Sequence, residues 1–404
     1  MRNGGVYAGA RSGAGGPARA GGHDDVFNDL CSVLFASLTR RDQRHRGREY
    51  LRGLLQAEGR KSIRNIAAMT GGSATEQRLH HFITSSTWDW TTVRRELARH
   101  VARVAPPEAW VAHPMIIPKA GEHSVGVDRH FVSAMGQVMN AQRAIGVWAA
   151  SEQLCAPANW RLHLSETWLD DGRRRVRAAI PDGFLLERTL GECAVEACLD
   201  TAAEGGLPVR PVVLDAREAD VTAVFRRLRA AGLPVVARIG GALALSVSDP
   251  ALPARGGEPA QAQRIMGAVR ELRRPAMWTG GPGGADGGAR RSLVAALRVG
   301  LPGAPASAPG LLLVGEWRGR QRWPAALWLT DLAEAHPASV LRLGTLLDRV
   351  DRDFAAVADQ VGVRDYAGRS FSGWHRHVTL ASAAHVVAAL TRGAGPGAYL
   401  DQAS

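Results

Sequence analysis

The first residue placed for chemistry is an acid: the run VRPVVLDA ends in Asp215, and READVTAVFRRLRAAG follows with helical spacing. A strand that ends in Asp and turns into a helix sets the carboxylate at the strand's carboxyl end, where open α/β sheets bind ligands. The other titratable groups have plainer readings. His375 and His377 in GWHRHVTL flank Arg376 and on a helix point to different faces, so they are not the i, i+4 pair a metal takes; GRSFSGWH fixes the entry to the last helix, with Trp374 in the core. His80 and His81 in HHFITSSTWDW begin a helix-turn segment whose Trp88 and Trp90 pack a helical unit. Cys193 and Cys198 lie in the helical segment LGECAVEACLDTAAEGG without a second pair of soft ligands, and with Cys31 and Cys155 they read as reduced cytoplasmic thiols.

The chain has 404 residues, is 46% hydrophobic and carries a formal net charge of +12. That length buries a large core in two or three structural units, and the charge favours a polyanion through phosphate neutralisation and counterion release. Nucleic acid is the first candidate; an Arg-rich composition spread over a solvated surface is the alternative. Arg173, Arg174, Arg175 and Arg177, after Asp170 and Asp171, read equally as a grip on a DNA backbone or as a solvated charge run. Arg, Asp, Gly or Pro interrupts every hydrophobic run well short of the roughly 18 residues of a membrane helix, which predicts a protein outside the membrane.

These residues need elements to position them. Residues 1–24 form a Gly/Arg-rich tail without the apolar core of a secretory signal and are expected to be disordered. From Asp25, Val26, Phe27, Leu30, Val33, Leu34 and Leu38 recur at three- and four-residue steps, the spacing of an amphipathic helix. Further helices carry Tyr50, Leu51, Leu54 and Leu55, then Ile63 and Ile66, then Val93, Leu97 and Val101, so 25–104 reads as an all-helical DNA-binding domain. Its polar faces hold Arg40, Arg41, Arg44, Arg46, Arg48, Arg52, Arg60, Lys61 and Arg64, a set suited to a DNA backbone. APPE (105–108) ends the helical period. WVAHPMII, RAIGVWAA, NWRLHLS, VRPVVLDA and LPVVARI then read as strands of an α/β unit over 105–249. Residues 250–310 (PARGGEP, GGPGGADGG, GAPASAPG) read as a Gly/Pro-rich insertion with mobile loops, and strand character returns in GLLLVGEW and AALWLTDL. Two helices, about 337–361 and 374–390, complete a second α/β part over 311–395, before a short tail, 396–404.

Several stretches in order resemble insertion-sequence transposases of the DDE superfamily: GRKSIRNIAAMTGG with RLHHFITSSTWDW, IPKAGEHSVGV, NWRLHLSETWLDDGRRRVRAAIP, VVLDA, LWLTDL and YAGRSFSGWHRHVTL. The resemblance implies an α/β, RNase H-like catalytic domain with an inserted segment, preceded by an all-helical N-terminal domain. It also implies two Asp and one Glu holding two divalent ions, Mg²⁺ or Mn²⁺, for an in-line displacement at a phosphodiester. Double-stranded DNA is the implied partner, with a homodimer on paired DNA ends and a cytoplasmic, nucleoid-associated location.

Position by position, the implied triad is incomplete. Where the family's first strand ends in a pattern like DDTGFPKKG, this chain has HPMIIPKAG, with His113 and Pro114 at the acidic positions. Asp215 keeps the second acid, beside Arg217 and Glu218. Asp351 stands at the helical Glu position, one methylene shorter, and Ala358 and Ala367 replace a basic residue and a Glu of the pattern. Imidazole suits Zn²⁺ or Mn²⁺ better than Mg²⁺. Lys119 keeps a positive charge near the former catalytic position. The reading is a DNA-binding protein that lacks efficient strand cleavage, its DNA contacts drawn from Arg44, Arg48, Arg60, Lys61, Arg64, Lys119, Arg173, Arg174 and Arg175. Two alternatives stay open: an active metal-dependent transposase or nuclease in which His113, Asp215 and Asp351 complete a site, and an enzyme of different chemistry built on His113, Arg217, Glu218 and Asp351.

Overall fold

A computed structural model describes residues 18–132, 135–184, 186–187, 189–250, 258–279, 289–303, 310–319 and 321–393. Most of the expected N-terminal tail, the expected C-terminal tail and several of the Gly/Pro-rich loops lie outside these residues. The N-terminal helices are α1 (Ala18–Leu34), α2 (Arg41–Gln56), α3 (Ile63–Ala68), α4 (Ser73–Thr84) and α5 (Trp90–Val104). Their buried faces follow the apolar spacing: Tyr50, Leu51 and Leu54 on α2, and Val93, Leu97 and Val101 on α5. Asp89 caps α5 by accepting from the backbone N–H groups of Thr91 (2.9 Å) and Thr92 (3.2 Å). The sequence expectation for His80 and His81 is corrected: they fall near the end of α4, which starts seven residues earlier, where Gly72 at φ 73° turns the chain into the helix.

The strands are β1 (Ala109–Pro118), β2 (Val127–Val132), β3 (Gln137–Ala150), β4 (Cys155–Leu162), β5 (Val212–Asp215) and β6 (Val235–Arg238), followed by β7 (Ala244–Val247), β8 (Pro259–Gln261), β9 (Arg274–Thr279), β10 (Ala289–Gly300), β11 (Leu311–Trp317) and β12 (Ala326–Thr330). They form one mixed sheet in the order β2-β3-β1-β5-β6-β12-β11-β10-β7-β8, with β4 on β3 and β9 on β10. β1, β5 and β6 run parallel; β3 is antiparallel to β1, and β12 to β6. Short α6 (Glu166–Leu169) and α7 (Gly172–Ala178) lead to α8 (Leu190–Ala203), while α9 (Val221–Ala230) links β5 to β6 and α10 (Ala262–Ala268) precedes β9. RRSLVAALRVG lies in β10 and pairs with β11 from Val294↔Glu316 to Val299↔Leu311, so the stretch read as an insertion contributes strands to the sheet itself.

Two C-terminal helices lock this frame. α11 (Pro337–Asp353) buries Val340, Leu343, Leu347 and Val350 and closes on the sheet where Gly344 meets the Trp328 ring. α12 (Phe371–Gly393) is buried at Phe371 and from Gly373 to Val387, so its polar residues there need internal partners. His377 Nε2 donates to Gly362 O (2.8 Å), which leaves Nδ1 to accept from the Tyr50 hydroxyl (2.8 Å). His385 Nε2 donates to Cys155 O, and Arg376 donates to the carbonyls of Ile83 and Trp88. These contacts tie the helical unit to the sheet. Trp374 is fully buried.

Candidate functional site

From β1 the chain runs to β3 on one side, and from β5 to β6 on the other, so the crevice at the carboxyl ends of β1 and β5 is where the strand order reverses and where α/β sheets hold ligands. Ala112 pairs with Leu214, which makes His113 and Asp215 the next residues along two adjacent parallel strands. Asp351, near the end of α11, reaches over to the same place: His113 Nε2 lies 2.7 Å from its Oδ1. A carboxylate only accepts, so Nε2 carries a proton; Nδ1 is buried without a partner. The ring packs near Phe354 (5.3 Å between centroids) and edge-on to Trp148. The hydrogen bond from His113, with the charge of that ring when protonated and then those of Arg352 and Arg238, holds the Asp351 carboxyl below its ordinary range despite desolvation.

Asp215 is engaged by its own chain. Its carboxylate accepts from the Arg217 backbone N–H (3.1 Å), from Nε (2.9 and 3.0 Å) and from Nη2 (2.6 Å). The type and order of residues at this point, Asp-Ala-Arg after a strand, allow the carboxylate to fold back on the next turn. Two divalent ions need several hard oxygen ligands. Here each of the two acids already has a donor of the protein, the first-strand position offers an imidazole whose outward N–H is used, and among the described residues no three His, Cys, Asp or Glu side chains are grouped to hold a metal. The side chains present do not fit a two-metal centre.

The basic residues divide. Arg60 and Lys119 meet in an open cleft of about 500 Å³ with Arg364, Arg369 and His123, opposed by Asp365. Lys119 Nζ donates to Tyr366 O (2.6 Å), and desolvation followed by the charge of Arg60 lowers its ammonium to about 8. Arg64 and Arg173 are exposed. The remainder are occupied: Arg44 donates to Leu38 O and Thr39 O, Arg48 to Asn28 while lying over Phe27, and Arg175 to Pro181 O. Arg174 lies over the Trp168 ring, and Lys61 is buried with Nζ on Ala57 O. Arg364 and Arg369 were missed in the sequence; their signal was their position in RDYAGR, close to a matched motif. The four cysteines are free and buried, and burial pushes the Cys31 thiol up to about 11.

The fold and site define a mixed α/β protein of nuclease-like construction. A family model described as DDE superfamily endonuclease matches residues 33–281, and the chain belongs to that family. The matched span holds His113 and Asp215 and ends before α11, so Asp351 lies beyond it. No curated protein matches the chain. Among the described residues no helix is long and apolar enough to cross a membrane.

Proposed function

We propose that this chain is a transposase-derived protein with an RNase H-like core that binds double-stranded DNA and does not cut it efficiently. The observation that carries this reading is the internal engagement of both acids, Asp351 by a hydrogen bond from the His113 N–H and Asp215 by the Arg217 guanidinium. A site that must gather dications keeps its carboxylates free to coordinate; these are tied to donors of their own chain. The run β4-β3-β1-β5-β6, with His113 and Asp215 at the ends of its central parallel pair, supports the RNase H-like assignment.

DNA binding is supported by the family and by the cleft that joins Arg60 of the helical unit to Lys119, Arg364 and Arg369 of the α/β unit. Arg60, Arg369 and the Lys119 ammonium, with Arg364 held against Asp359, lie on one concave surface and suit backbone phosphates. The test incubates the full chain with labelled duplex DNA at two salt concentrations in Mg²⁺, Mn²⁺ or EDTA. Salt-sensitive binding without nicking in any of the three is the expected result. Nicking in Mg²⁺ or Mn²⁺ that disappears in Asp215→Ala overturns the proposal, as does the absence of binding.

A further inference from the structure

A second concavity, of about 420 Å³, lies between α5, β4, α8 and the start of α12, away from the β1–β5 crevice. Trp90, Trp160, Phe184 and Phe371 give it aromatic walls. Its floor is Arg94, buried at 5% exposure, whose five hydrogen bonds all go to neutral groups: Nε to Thr379 Oγ1, Nη1 to Asn159 Oδ1 and Trp160 O, and Nη2 to Nδ1 and O of His375. No carboxylate touches this guanidinium, whose charge is met only by the face of the Trp90 ring 4.5 Å away, an arrangement rare for a buried arginine. The other two arginines of the lining are paired, Arg95 with Glu204 and Arg161 with both Asp200 and Glu187, so Arg94 alone of the three has no carboxylate partner.

His375 adds a directed donor. A guanidinium only donates, so His375 Nδ1 accepts from Arg94 at 3.2 Å, and the ring's proton must sit on Nε2. Nε2 is buried without a partner, on a side chain 3% exposed that lines the cavity, stacked against Trp90 at 4.1 Å. We propose that this cavity binds a small aromatic monoanion, its ring between the aromatic walls and its carboxylate accepting from His375 Nε2 above the unpaired charge of Arg94. Such a ligand would bridge the helical unit and the sheet. The proposal does not rest on the reading of the DNA site.

The test is calorimetric titration of the full chain with 2-naphthoate and, as the neutral control, 2-naphthalenemethanol. Saturable binding of naphthoate at one site, about tenfold tighter than the alcohol, is expected for one charge-assisted hydrogen bond in a desolvated pocket. His375→Phe keeps a ring on Trp90 and removes the donor, so naphthoate affinity drops about tenfold while the alcohol, which accepts a weaker uncharged hydrogen bond, loses less. Ala203→Trp places bulk at the exposed rim and serves where the buried variant does not fold; it weakens both probes. Equal affinity for the two probes, no saturable binding, or unchanged naphthoate binding in a folded His375→Phe or Ala203→Trp variant overturns the proposal.

Discussion

His113→Asp returns an acid to the end of β1 and tests the site directly. The substitution removes the 2.7 Å hydrogen bond to Asp351 and the ring packed near Phe354 and Trp148. Asp351 is 65% exposed on its side chain, so the lost bond is discounted for solvent to about 1 kcal/mol. His113 is only 12% exposed, and losing its ring contacts costs about 1–2 kcal/mol. Facing Asp351 with a second carboxylate adds like-charge repulsion of about 1 kcal/mol. In EDTA the variant is therefore expected to lose about 3–4 kcal/mol, roughly 4–5 °C in a chain this size. A divalent ion should recover part of that loss by binding the native state, about 1.4–2.7 kcal/mol at ten to a hundred times its Kd. The assay is thermal unfolding of the native chain and the variant in EDTA and in 10-fold steps of Mg²⁺ or Mn²⁺. The native chain is expected to respond far less than the variant. Equal melting in EDTA and saturating metal for the variant refutes the idea that His113 occupies a vacated ligand position.

Three further outcomes follow from other parts of the structure. Lys119 loses its proton at about 8, so DNA affinity should fall by about three- to tenfold between pH 7 and 9, and Lys119→Arg, whose charge persists, should flatten that profile in a fluorescence anisotropy titration; parallel profiles for the two proteins refute the role of Lys119. His163, His377 and His385 are lowered to about 4, chiefly by desolvation, so folding selects their neutral form. The unfolded chain therefore binds protons first as pH falls from the ordinary 6.5, and stability is full above that value and lost progressively towards 4. A melting temperature constant from pH 7 to 4.5 contradicts this. Gly344→Ala puts a methyl 2.5 Å from the Trp328 ring and should cost about 1–3 kcal/mol in denaturant unfolding; a change under about 0.5 kcal/mol means that α11 moves off the sheet freely.

The sheet was readable where apolar runs are short and bounded by turn residues, as in VVLDA and LPVVARI, because a buried strand cannot afford charged residues there. RRSLVAALRVG was not: its apolar residues fit a helix or a strand, and only its pairing with β11 decides. α4 was misplaced because HHFITSS drew the start of the helix to the histidines, whereas the turn at Gly71 and Gly72 sets it. The candidate site was legible to the level of residue type. His113, Asp215 and Asp351 were named from their motif positions, yet the contacts of each depend on geometry no spacing contains: the fold-back of Arg217, and the reach of α11 across 238 residues to β1. Arg94 lies beyond reading for the same reason, since its acceptors come from β4 and α12.

The two pairs at the crevice have a common physical logic. Asp215 at the end of β5 and Asp351 on α11 are each held by a donor of the chain as α11 packs on the sheet. Arg217 supplies a full positive charge to Asp215, and His113 supplies a directed N–H to Asp351; neither partner requires an ion from solution. In the proposed history, a chain that merely lost one ligand would keep two frustrated acids and a loosened helix. This one orders both the strand end and the last turn of α11 by contacts within the chain. It follows that removing either donor should loosen the crevice more than removing the acid it serves. Arg217→Ala leaves Asp215, at 30% exposure, with only the backbone N–H of residue 217, whereas Asp215→Ala leaves Arg217 free to turn into solvent from 53%. Hydrogen exchange at β5 and the end of α11 distinguishes the two, and faster exchange in Asp215→Ala than in Arg217→Ala would show that the acid, not its partner, organises the crevice.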